Sequence, residues 1–501
     1  MNQKIHTIGE YIDLLEQHGL VDALEMGESD RENKIRYLSY DSQDMEPGGL
    51  FICKGAHFLP RYLSDAVKKG AACYVSETLY PEEGAFLPAI IVNDIRKAMA
   101  LVGNLYYGEA WKELKLVGIT GTKGKSTTTY YVKYILDDYL KKNGRKQSAV
   151  LSGIDVYDGV IFEESHLTTP EAVMLHRHFR NAADSGIEYL EMEVSSQALK
   201  YDRTLGITFD VGCFLNIGED HISPIEHTDF EDYFAAKMML MEQCRVACVN
   251  ISTEHGEEVR LAAEKATEVL TFGTDPEAQI YGSEVRSKDG KVSFQVRTPK
   301  YSTEIALAMP GLFNVENALA AISICYALEI PVDSIREGLA QAKVAGRMEI
   351  YRGEESKTIV LVDYAHNKLS FDRLFHSTAK EYPDHKIFAV FGCPGKKALA
   401  RRRELPEIAG RYAAKMFITE EDAGEESVRA ISEEIAEYAK ITGCPTVIIE
   451  DREEAIKAAL TEADDKTVIL LTGKGRETRQ KRGTQYIDCL SDVEIVEKYL
   501  K

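Results

Sequence analysis

No apolar run in this 501-residue chain approaches the roughly 18 residues that a helix needs to cross a bilayer. The N-terminus also lacks the basic region, apolar region and small-residue cleavage site of a signal peptide. We therefore expect no membrane insertion and a cytoplasmic location.

The sequence has no Cys-x-x-Cys pair, and its nine cysteines are scattered singly. Several of them, such as Cys53, Cys73, Cys213 and Cys325, lie inside apolar runs. This pattern argues against a disulfide framework and against a structural zinc site. It predicts reduced thiols in the core.

Positive charge is also scarce. The chain has 60 basic and 81 acidic residues, a net charge of −21, which makes nucleic acid a poor partner. The hydrophobic fraction of 44% is ordinary for a globular protein. A chain of this length is expected to form about two to four domains.

The most informative stretch that is present is Gly118-Ile-Thr-Gly-Thr-Lys-Gly-Lys-Ser-Thr127. It follows an apolar run and opens a helical pattern, so its backbone N–H groups would face an anion at a helix start. Lys125 would neutralise terminal phosphates, and the Ser126 hydroxyl would bind Mg²⁺. We predict a site for ATP or a related nucleotide. Gly118 stands one position too early for the generic phosphate loop, and the alternative is a flexible turn whose lysine faces solvent.

The rest of the chain reads as α/β in three domains. Residues 1–112 form a small α/β unit, and residues 113–345 form a central phosphate-loop ATPase domain with a parallel sheet. Residues 346–501 form a doubly wound, Rossmann-like domain. Short apolar runs between helical patterns predict parallel strands with crossover helices. Alternation around Asp289-Gly290 predicts an antiparallel hairpin insert.

Polar clusters follow several predicted strands of the central domain. Glu193 ends one strand, where it would hold Mg²⁺ opposite the phosphate loop. Asn216 and then Glu219-Asp-His221 follow the next strand, and Lys237 lies alone in an apolar helical stretch. Taken singly, each has a plainer interpretation, because such acids often cap loops and lone lysines usually extend to solvent.

Eight motifs resemble, in order, those of the Mur ligases, the ATP-dependent amino-acid-adding enzymes of peptidoglycan synthesis. They are Gly121-Thr-Lys-Gly-Lys-Ser-Thr127, Leu167-Thr-Thr-Pro-Glu171, Met192-Glu-Val-Ser-Ser-Gln-Ala198, Asn216, Asp220-His221, Gly311-Leu-Phe-Asn-Val-Glu-Asn-Ala318, Gly346-Arg-Met-Glu349 and Asp363-Tyr-Ala-His366. The resemblance runs from about Ser39 to the C-terminus. Within the family, the chain is similar to the members that add the third residue, of the lysine-adding streptococcal type.

The resemblance implies an ATP-dependent ligase that adds a free diamino acid, with L-lysine favoured, to the D-glutamyl γ-carboxylate of UDP-N-acetylmuramoyl-L-alanyl-D-glutamate. The reaction would pass through an acyl phosphate, with no protein nucleophile. The implied partners are the UDP-muramoyl-dipeptide and the diamino acid. We expect a monomer with ATP, two Mg²⁺ sites and a CO₂-derived carbamate on Lys237.

The family's residue roles carry over position by position. ATP binding falls on Gly121, Thr122, Lys123, Gly124, Lys125, Ser126, Thr127, Asn317, Arg347 and Asp363. Metal binding falls on Ser126, Glu193 and His221, while the implied catalytic set is Lys125, Glu193, His221 and Lys237. Substrate binding falls on Ser42 for the uridine nucleotide and on Thr168, Thr169, Ser195 and Arg203 for the muramoyl-dipeptide.

The implied amino-acid site departs from the family pattern. Its residues are Lys397, Glu421, Asp422, Gly424, Gly473 and Glu477. Diaminopimelate-adding members carry Asp-Asn-Pro-Arg where this chain has Glu421-Asp-Ala-Gly424, and Gly424 cannot pair with a distal carboxylate. The acidic run from Glu420 to Glu426 would suit a terminal ammonium, unless it is only a solvated loop.

Several alternatives stay open at this point. Ornithine and meso-diaminopimelate remain possible acceptors. The chain also fits, less well, a Mur-type amide ligase for another carboxylate, such as a folyl-polyglutamate synthetase. A last alternative is an ATP-binding paralogue that no longer ligates.

Overall fold

The computed structural model describes residues 5–55, 58–219, 222, 226–288, 291–354 and 357–500. The chain separates into two compact units. The first comprises Met1–Phe272 with Ala320–Ile335, and the second comprises Gly273–Leu319 with Arg336–Lys501.

The N-terminal part of the first unit is a five-stranded sheet in the order β1-β5-β4-β3-β2. Only β1 runs antiparallel to its neighbour. Helix α1 begins at a capping box formed by Thr7 and Glu10. The elements are α1 (Ile8–Gln17), β1 (Val21–Glu25), β2 (Tyr37–Ser39), β3 (Gly49–Ile52), α2 (Pro60–Lys68), β4 (Ala71–Ser76), β5 (Ala89–Val92) and α3 (Ile95–Tyr106), with 3₁₀ helices at Glu28–Glu32, Ser42–Asp44 and Ala110–Glu113.

The rest of the first unit carries a larger sheet in the order β13-β12-β11-β6-β10-β7-β8-β9. Its strands are parallel from β13 to β7, and β8 and β9 continue it as an antiparallel ribbon. The elements are β6 (Lys115–Thr120), α4 (Lys125–Lys142), β7 (Ala149–Leu151), β8 (Asp155–Tyr157), β9 (Phe162–Glu164), α5 (Ala172–Asp184), β10 (Tyr189–Glu193), α6 (Ser196–Lys200), β11 (Phe209–Phe214), α7 (Phe230–Glu242), β12 (Cys244–Asn250), α8 (Gly256–Ala263) and β13 (Glu268–Gly273).

The second unit begins with an antiparallel ribbon, β14-β15-β16. Its main body is a sheet in the order β17-β18-β22-β19-β20-β21, parallel except at β17. The elements from β14 onward, including those that the two units share, are β14 (Ile280–Lys288), β15 (Lys291–Arg297), β16 (Ser302–Leu307), α9 (Asn314–Ala327), α10 (Val332–Gln341), β17 (Glu349–Arg352), β18 (Ile359–Asp363), α11 (Lys368–Glu381), β19 (Lys386–Phe391), α12 (Arg401–Ala409), β20 (Lys415–Ile418), α13 (Val428–Thr442), β21 (Thr446–Ile448), α14 (Arg452–Glu462), β22 (Thr467–Thr472), β23 (Arg479–Arg482), β24 (Gln485–Asp488) and α15 (Asp492–Tyr499).

The architecture confirms the α/β prediction, with parallel strands and crossover helices in both large sheets. The predicted hairpin is present as β14 and β15, although its turn at residues 289–290 lies outside the described residues. All nine cysteines are free thiols, and seven are buried. Within the described ranges, no helix is long and apolar enough to span a bilayer. The boundaries at 112/113 and 345/346 stay predictions.

Candidate functional site

The loop between β6 and α4, residues 121–127, has the backbone geometry of an anion cradle. Gly121 and Gly124 have φ of 153° and 87°, a region that side chains disfavour. A Cβ at Gly121 would lie 2.8 Å from Cβ of Leu215, so a larger residue does not fit there. Helix α4 starts at Lys125, directly after the second glycine, and its first N–H groups have no partner within the helix.

Asn216, just past the end of β11, fixes this loop by three hydrogen bonds. Its side-chain Oδ1 accepts from the N–H of Lys123 at 2.9 Å, its Nδ2 donates to the Lys123 carbonyl at 3.0 Å, and its carbonyl accepts from the N–H of Thr122 at 2.9 Å. The Thr122 hydroxyl adds a contact of 3.0 Å to the Tyr233 hydroxyl. The loop is therefore held in shape by its neighbours.

Two lysine ammonium groups donate to the same carbonyl oxygen in this loop. Nζ of Lys125 lies 2.9 Å and Nζ of Lys237 lies 3.0 Å from the oxygen of Gly121. Lys237 is 1% exposed and packs its Nζ 4.7 Å from the centre of the Tyr233 ring. The interpretation of Lys237 as a side chain that extends to solvent is wrong, because the charge is buried against the loop. The Lys125 ammonium and the free N–H groups at the start of α4 favour an anion at this point.

Glu193 ends β10, and β10 pairs directly with β6, the strand that leads into the loop. Its side chain is 2% exposed, and Oε1 accepts from the N–H of Gly153 at 2.8 Å. One carboxylate and the buried Ser126 hydroxyl are a suitable protein contribution to Mg²⁺, which usually completes its shell with water and phosphate oxygens. Among the described residues, no group of three or more His, Cys, Asp or Glu side chains is arranged to hold a metal ion. The predicted ligand His221 lies outside the described residues.

Three of the four residues predicted to bind the muramoyl-dipeptide form one hydrogen-bonded group. The Thr169 hydroxyl accepts from the N–H of Ser195 at 3.0 Å and donates to the Ser195 hydroxyl at 3.3 Å. Arg203 donates to the Thr169 carbonyl at 2.9 Å. Thr168 lies beside Gly153, where an added Cβ would stand 3.4 Å from its Oγ1 and 3.7 Å from Glu193. This group therefore continues the edge that carries Glu193.

Ser42, predicted to contact the uridine nucleotide, lies in the N-terminal sheet region. It is 4% exposed and begins a 3₁₀ helix capped by Asp41, whose side chain accepts from the N–H of Gln43. Its predicted role is not tested by this geometry.

In the second unit, Asp363 and Arg347 are brought together at the end of β18. The Asp363 carboxylate accepts from the N–H groups of Met348 at 2.9 Å and Ala365 at 2.8 Å. The Arg347 guanidinium lies 4.7 Å from the Tyr364 ring centre. Asn317 donates to the Asn314 side chain at 2.9 Å in α9. Their predicted ATP contacts stay predictions.

The acidic run, Glu420 to Glu426, is not merely a solvated loop, because four of its five acids form ion pairs. These pairs are Glu420 with Arg482 at 2.6 Å, Asp422 with Lys474 at 3.1 Å, Glu425 with Lys396 at 2.6 Å, and Glu426 with Arg402 at 2.8 Å. Their charges are already compensated within the chain.

The fifth acid, Glu421, is different. It is 8% exposed, and within the described part of the chain its carboxylate makes no hydrogen bond or ion pair. Burial raises its pKa to about 7, against the lowering influence of Arg452, Arg401 and Lys474. Gly473 has φ of 98°, a conformation that favours glycine, and a Cβ there would stand 2.3 Å from Oε2 of Glu421 and displace the carboxylate.

The other residues predicted to bind the amino acid differ in their contacts. Glu477 accepts from Lys474 at 2.5 Å and from the Tyr364 hydroxyl at 2.6 Å. Gly424 adopts φ of 61°; its N–H donates to the Lys481 carbonyl, and its carbonyl accepts from the N–H of Gly483. Lys397 is exposed on the loop after β19. The predictions missed Lys474, which is 2% exposed and pairs with both Asp422 and Glu477, although it directly follows the predicted residue Gly473.

Comparison with known families gives two matches. The Mur ligase middle domain matches residues 119–325, and the Mur ligase glutamate ligase domain matches residues 346–475.

Three relatives with curated names cover almost the whole chain. A UDP-N-acetylmuramyl-tripeptide synthetase of Lactobacillus acidophilus is 38% identical and covers 89% of this chain and 88% of its own length. A UDP-N-acetylmuramoyl-L-alanyl-D-glutamate--L-lysine ligase of Streptococcus agalactiae is 38% identical, over 93% and 92%. A UDP-N-acetylmuramyl-tripeptide synthetase of Bifidobacterium longum is 35% identical, over 98% and 99%.

Solved structures share the fold at low sequence identity. A UDP-N-acetylmuramoyl-L-alanyl-D-glutamate--2,6-diaminopimelate ligase aligns with a TM-score of 0.66 at 22% identity, over 97% of this chain and 98% of that one. A MurF ligase of Thermotoga maritima in complex with ADP aligns with a TM-score of 0.61 at 18% identity, over 87% and 93%.

Proposed function

Because the chain belongs to the Mur ligase family of ATP-dependent ligases, we propose that it joins a diamino acid to the D-glutamyl γ-carboxylate of UDP-N-acetylmuramoyl-L-alanyl-D-glutamate, with L-lysine as the favoured acceptor. Relatives at 38% identity carry the names of a lysine ligase and a tripeptide synthetase. The product would be a precursor of peptidoglycan.

The observation that carries this proposal is the loop at residues 121–127. Its two glycines have left-handed backbone, Asn216 holds it from the neighbouring strand, and two lysines converge on the Gly121 carbonyl. Such a loop at a helix start binds the phosphates of ATP. We propose that Lys125 shifts from the loop carbonyl to the terminal phosphates when the nucleotide binds.

The γ-carboxylate attacks the γ-phosphorus of ATP, and ADP leaves with the electrons of the broken bond. The acceptor amine then attacks the acyl phosphate, loses a proton and expels inorganic phosphate. In this scheme the loop N–H groups and Lys125 stabilise the charge that develops on the phosphoryl oxygens. Mg²⁺, held by Ser126 and Glu193, would supply further charge neutralisation.

We propose that Lys237 carries a carbamate in the active enzyme. The Lys237 ammonium first loses a proton, its neutral amine then attacks the carbon of CO₂, and the nitrogen loses a second proton. This change turns a buried cation into an anion, which is consistent with a site that must also hold metal ions. The buried Nζ beside the nucleotide loop is in a suitable place for this change.

We assign recognition of the acceptor's terminal ammonium to Glu421. A buried carboxylate without a partner is costly, and a cation from the substrate removes that cost. Gly424 offers no guanidinium for a second carboxylate, which disfavours meso-diaminopimelate. Lysine and ornithine both satisfy this requirement, and the relatives' names favour lysine.

Phosphate release from ATP tests the proposal directly. The purified chain is assayed with the UDP-muramoyl-dipeptide and with lysine, ornithine or meso-diaminopimelate in turn. We expect release that requires both the dipeptide and an amino acid, fastest with lysine. Release without the dipeptide, or no release with any acceptor, would remove the assignment. The monomeric state, the cytoplasmic location and the second Mg²⁺ stay predictions.

A further inference from the structure

The turn between β7 and β8, residues 152–155, lies beside the proposed metal ligand Glu193. β7 pairs with β10 in parallel, with Leu151 opposite Met192, so the turn begins where β10 ends. The N–H of Gly153 donates to Oε1 of Glu193 at 2.8 Å. Within the described residues Oε2 makes no hydrogen bond, so it is the oxygen that remains for a metal ion.

The bond from Gly153 to Glu193 joins an exposed donor to a buried acceptor. Gly153 is exposed on the turn, whereas Glu193 is 2% exposed. Water competes for an exposed N–H, so the orientation of the Glu193 carboxylate depends on how firmly the turn is held. Carboxylates that bind metal ions are themselves oriented by hydrogen bonds of this kind.

Two side chains help to hold the turn. The Ser152 hydroxyl shapes it from within, because it accepts from the N–H groups of Ile154 at 3.0 Å and Asp155 at 3.1 Å and donates to the Asp155 carbonyl at 2.9 Å. The Asp155 side chain fastens the turn to α4, because the Tyr130 hydroxyl donates to its Oδ1 at 2.5 Å. Tyr130 is 9% exposed and lies on the helix that begins at the nucleotide loop.

We propose that Tyr130 and Asp155 are positioning residues for the metal ligand Glu193. Their hydrogen bond keeps the turn in place, and the turn keeps the Gly153 N–H on Oε1, so the carboxylate stays in one orientation. The role requires an acceptor oxygen on residue 155 rather than a negative charge, because the Tyr130 donor is neutral. This inference rests on the proposed function and assigns neither residue a contact with the nucleotide or the metal ion.

The test measures nucleotide binding without turnover. Calorimetry gives the Kd of a non-hydrolysable ATP analogue in excess Mg²⁺ and again in EDTA, with no dipeptide or amino acid present. The ratio of the two values is the contribution of the metal ion. A general disturbance of the fold weakens binding in both arms, whereas a misplaced Glu193 carboxylate weakens it only in Mg²⁺. Glu193→Gln gives the loss of the ligand itself.

Tyr130→Phe removes only the hydroxyl that donates to Asp155. We expect binding in Mg²⁺ to weaken about 3- to 10-fold, less than the roughly 10- to 100-fold loss on removing a direct partner of a metal ligand. Binding in EDTA should be unchanged. The matched control is Tyr139→Phe, near the end of α4, whose hydroxyl makes no hydrogen bond among the described residues. It should bind as the wild type does in both arms.

Two variants of Asp155 separate the hydrogen bond from the charge. Asp155→Asn keeps an acceptor oxygen for Tyr130 and should bind nearly as the wild type does, whereas Asp155→Ala should match Tyr130→Phe. The double variant Tyr130→Phe/Asp155→Ala should lose no more than either single variant, because both act through one contact. Thermal unfolding checks each fold. If Tyr130→Phe lowers the Tm, the comparison of the two Asp155 variants decides.

Wild-type binding in Mg²⁺ for both Tyr130→Phe and Asp155→Ala would overturn the inference. Equal weakening of Tyr130→Phe in both arms would also overturn it, and so would equal losses in Asp155→Asn and Asp155→Ala, since Asp155 would then act through its charge. A wild-type chain that binds the analogue equally well in Mg²⁺ and in EDTA contradicts it too. A chain that shows the expected losses, but releases no phosphate with any amino acid, would instead remove the proposed ligase reaction and leave this inference standing.

Discussion

The nucleotide loop at residues 121–127 and the acidic run differ in the sign of their charges and in how those charges are compensated. In the loop, two ammonium groups meet at one carbonyl oxygen, and neighbouring hydrogen bonds hold the backbone ready for an anion. In the acidic run, four acids are already paired, and one buried carboxylate has no partner among the described residues. In our proposal the first region binds a polyanion and the second binds a single cation.

Because of this difference, substitutions in the two regions should have different effects on the reaction. The loop depends on backbone conformation at Gly121 and Gly124 and on Asn216, so a change there disturbs any reaction that uses ATP. In our proposal, the acidic run recognises the acceptor through the one acid that is unpaired. A substitution there should therefore alter the choice of amino acid. Loop variants should therefore affect every acceptor equally, whereas Glu421 variants should discriminate among acceptors.

The largest effect is expected for Lys237→Ala. It removes the buried ammonium beside the loop, and with it the carbamate that we propose. Phosphate release should fall by about 1,000-fold or more. A short added carboxylic acid should restore part of it by taking the place of the carbamate. The control Lys265→Ala removes an exposed lysine paired with Glu242 and should be fully active. Wild-type turnover in Lys237→Ala would show that this side chain only packs in the core and has no role in the reaction.

Asn216→Ala should have the next largest effect. It deletes both side-chain hydrogen bonds to Lys123 but leaves the phosphate-binding residues in place. We expect kcat/KM for ATP to fall about 10- to 100-fold, to the same extent with lysine and with ornithine. Asn216→Asp keeps the acceptor oxygen and should lose less. Asn143→Ala, at the exposed far end of α4, is the matched control, and equal losses in it would contradict a role for the loop.

The sequence predicted the nucleotide loop and its neighbouring strands far better than it predicted the acidic run. Glu193 was predicted to end one strand and Asn216 to follow the next, and the structure has them at the end of β10 and just after β11. The residue order therefore placed Glu193 and Asn216 at one edge of the sheet. Short-range patterns of this kind are readable because they depend on alternation, glycine positions and apolar periodicity.

The acceptor region depends on partners that are distant in the chain. Glu420 pairs with Arg482, 62 residues away, and Asp422 pairs with Lys474, 52 residues away. Composition shows that the acidic run is strongly negative, but it cannot show which carboxylate stays unpaired.

Glu421→Gln should have a smaller effect, which is confined to the binding of the acceptor amino acid. The change removes the charge that we assign to the terminal ammonium, so KM for lysine should rise about 10-fold while KM for ATP stays constant. Glu425→Gln, which changes an exposed acid paired with Lys396, is the control. An unchanged KM for lysine in Glu421→Gln would place the ammonium elsewhere.

The same residue predicts a pH dependence. Burial raises the pKa of Glu421 to about 7, so its carboxylate is mostly protonated at pH 6 and mostly ionised at pH 8. KM for lysine should therefore fall as the pH rises through 7 in the wild-type chain. The dependence should be absent in Glu421→Gln.

The smallest effect concerns stability and a second buried carboxylate, Glu191, which lies on β10 opposite Val117 of β6. Ser148 donates to its Oε1 at 2.9 Å, and its Oε2 is buried with no hydrogen-bond partner in the described part of the chain. Burial raises its pKa to about 8, well above the 4.5 of an exposed glutamate. Between these two values the folded state holds a proton that the unfolded chain releases, so the stability from this group is complete below pH 4.5 and is lost as the pH rises through 8.

Glu191→Gln keeps the shape of the side chain and cannot ionise. Its Tm should equal that of the wild type at pH 5 and be higher at pH 9. The gain at pH 9 should be on the order of 2 kcal/mol in the free energy of unfolding. The exposed control Glu163→Gln should follow the wild type at both pH values. If Glu191→Gln lowers Tm at pH 9, the ionised carboxylate is stabilised by Lys133, and Glu191 differs from Glu421 in having its cation supplied by the chain rather than by the substrate.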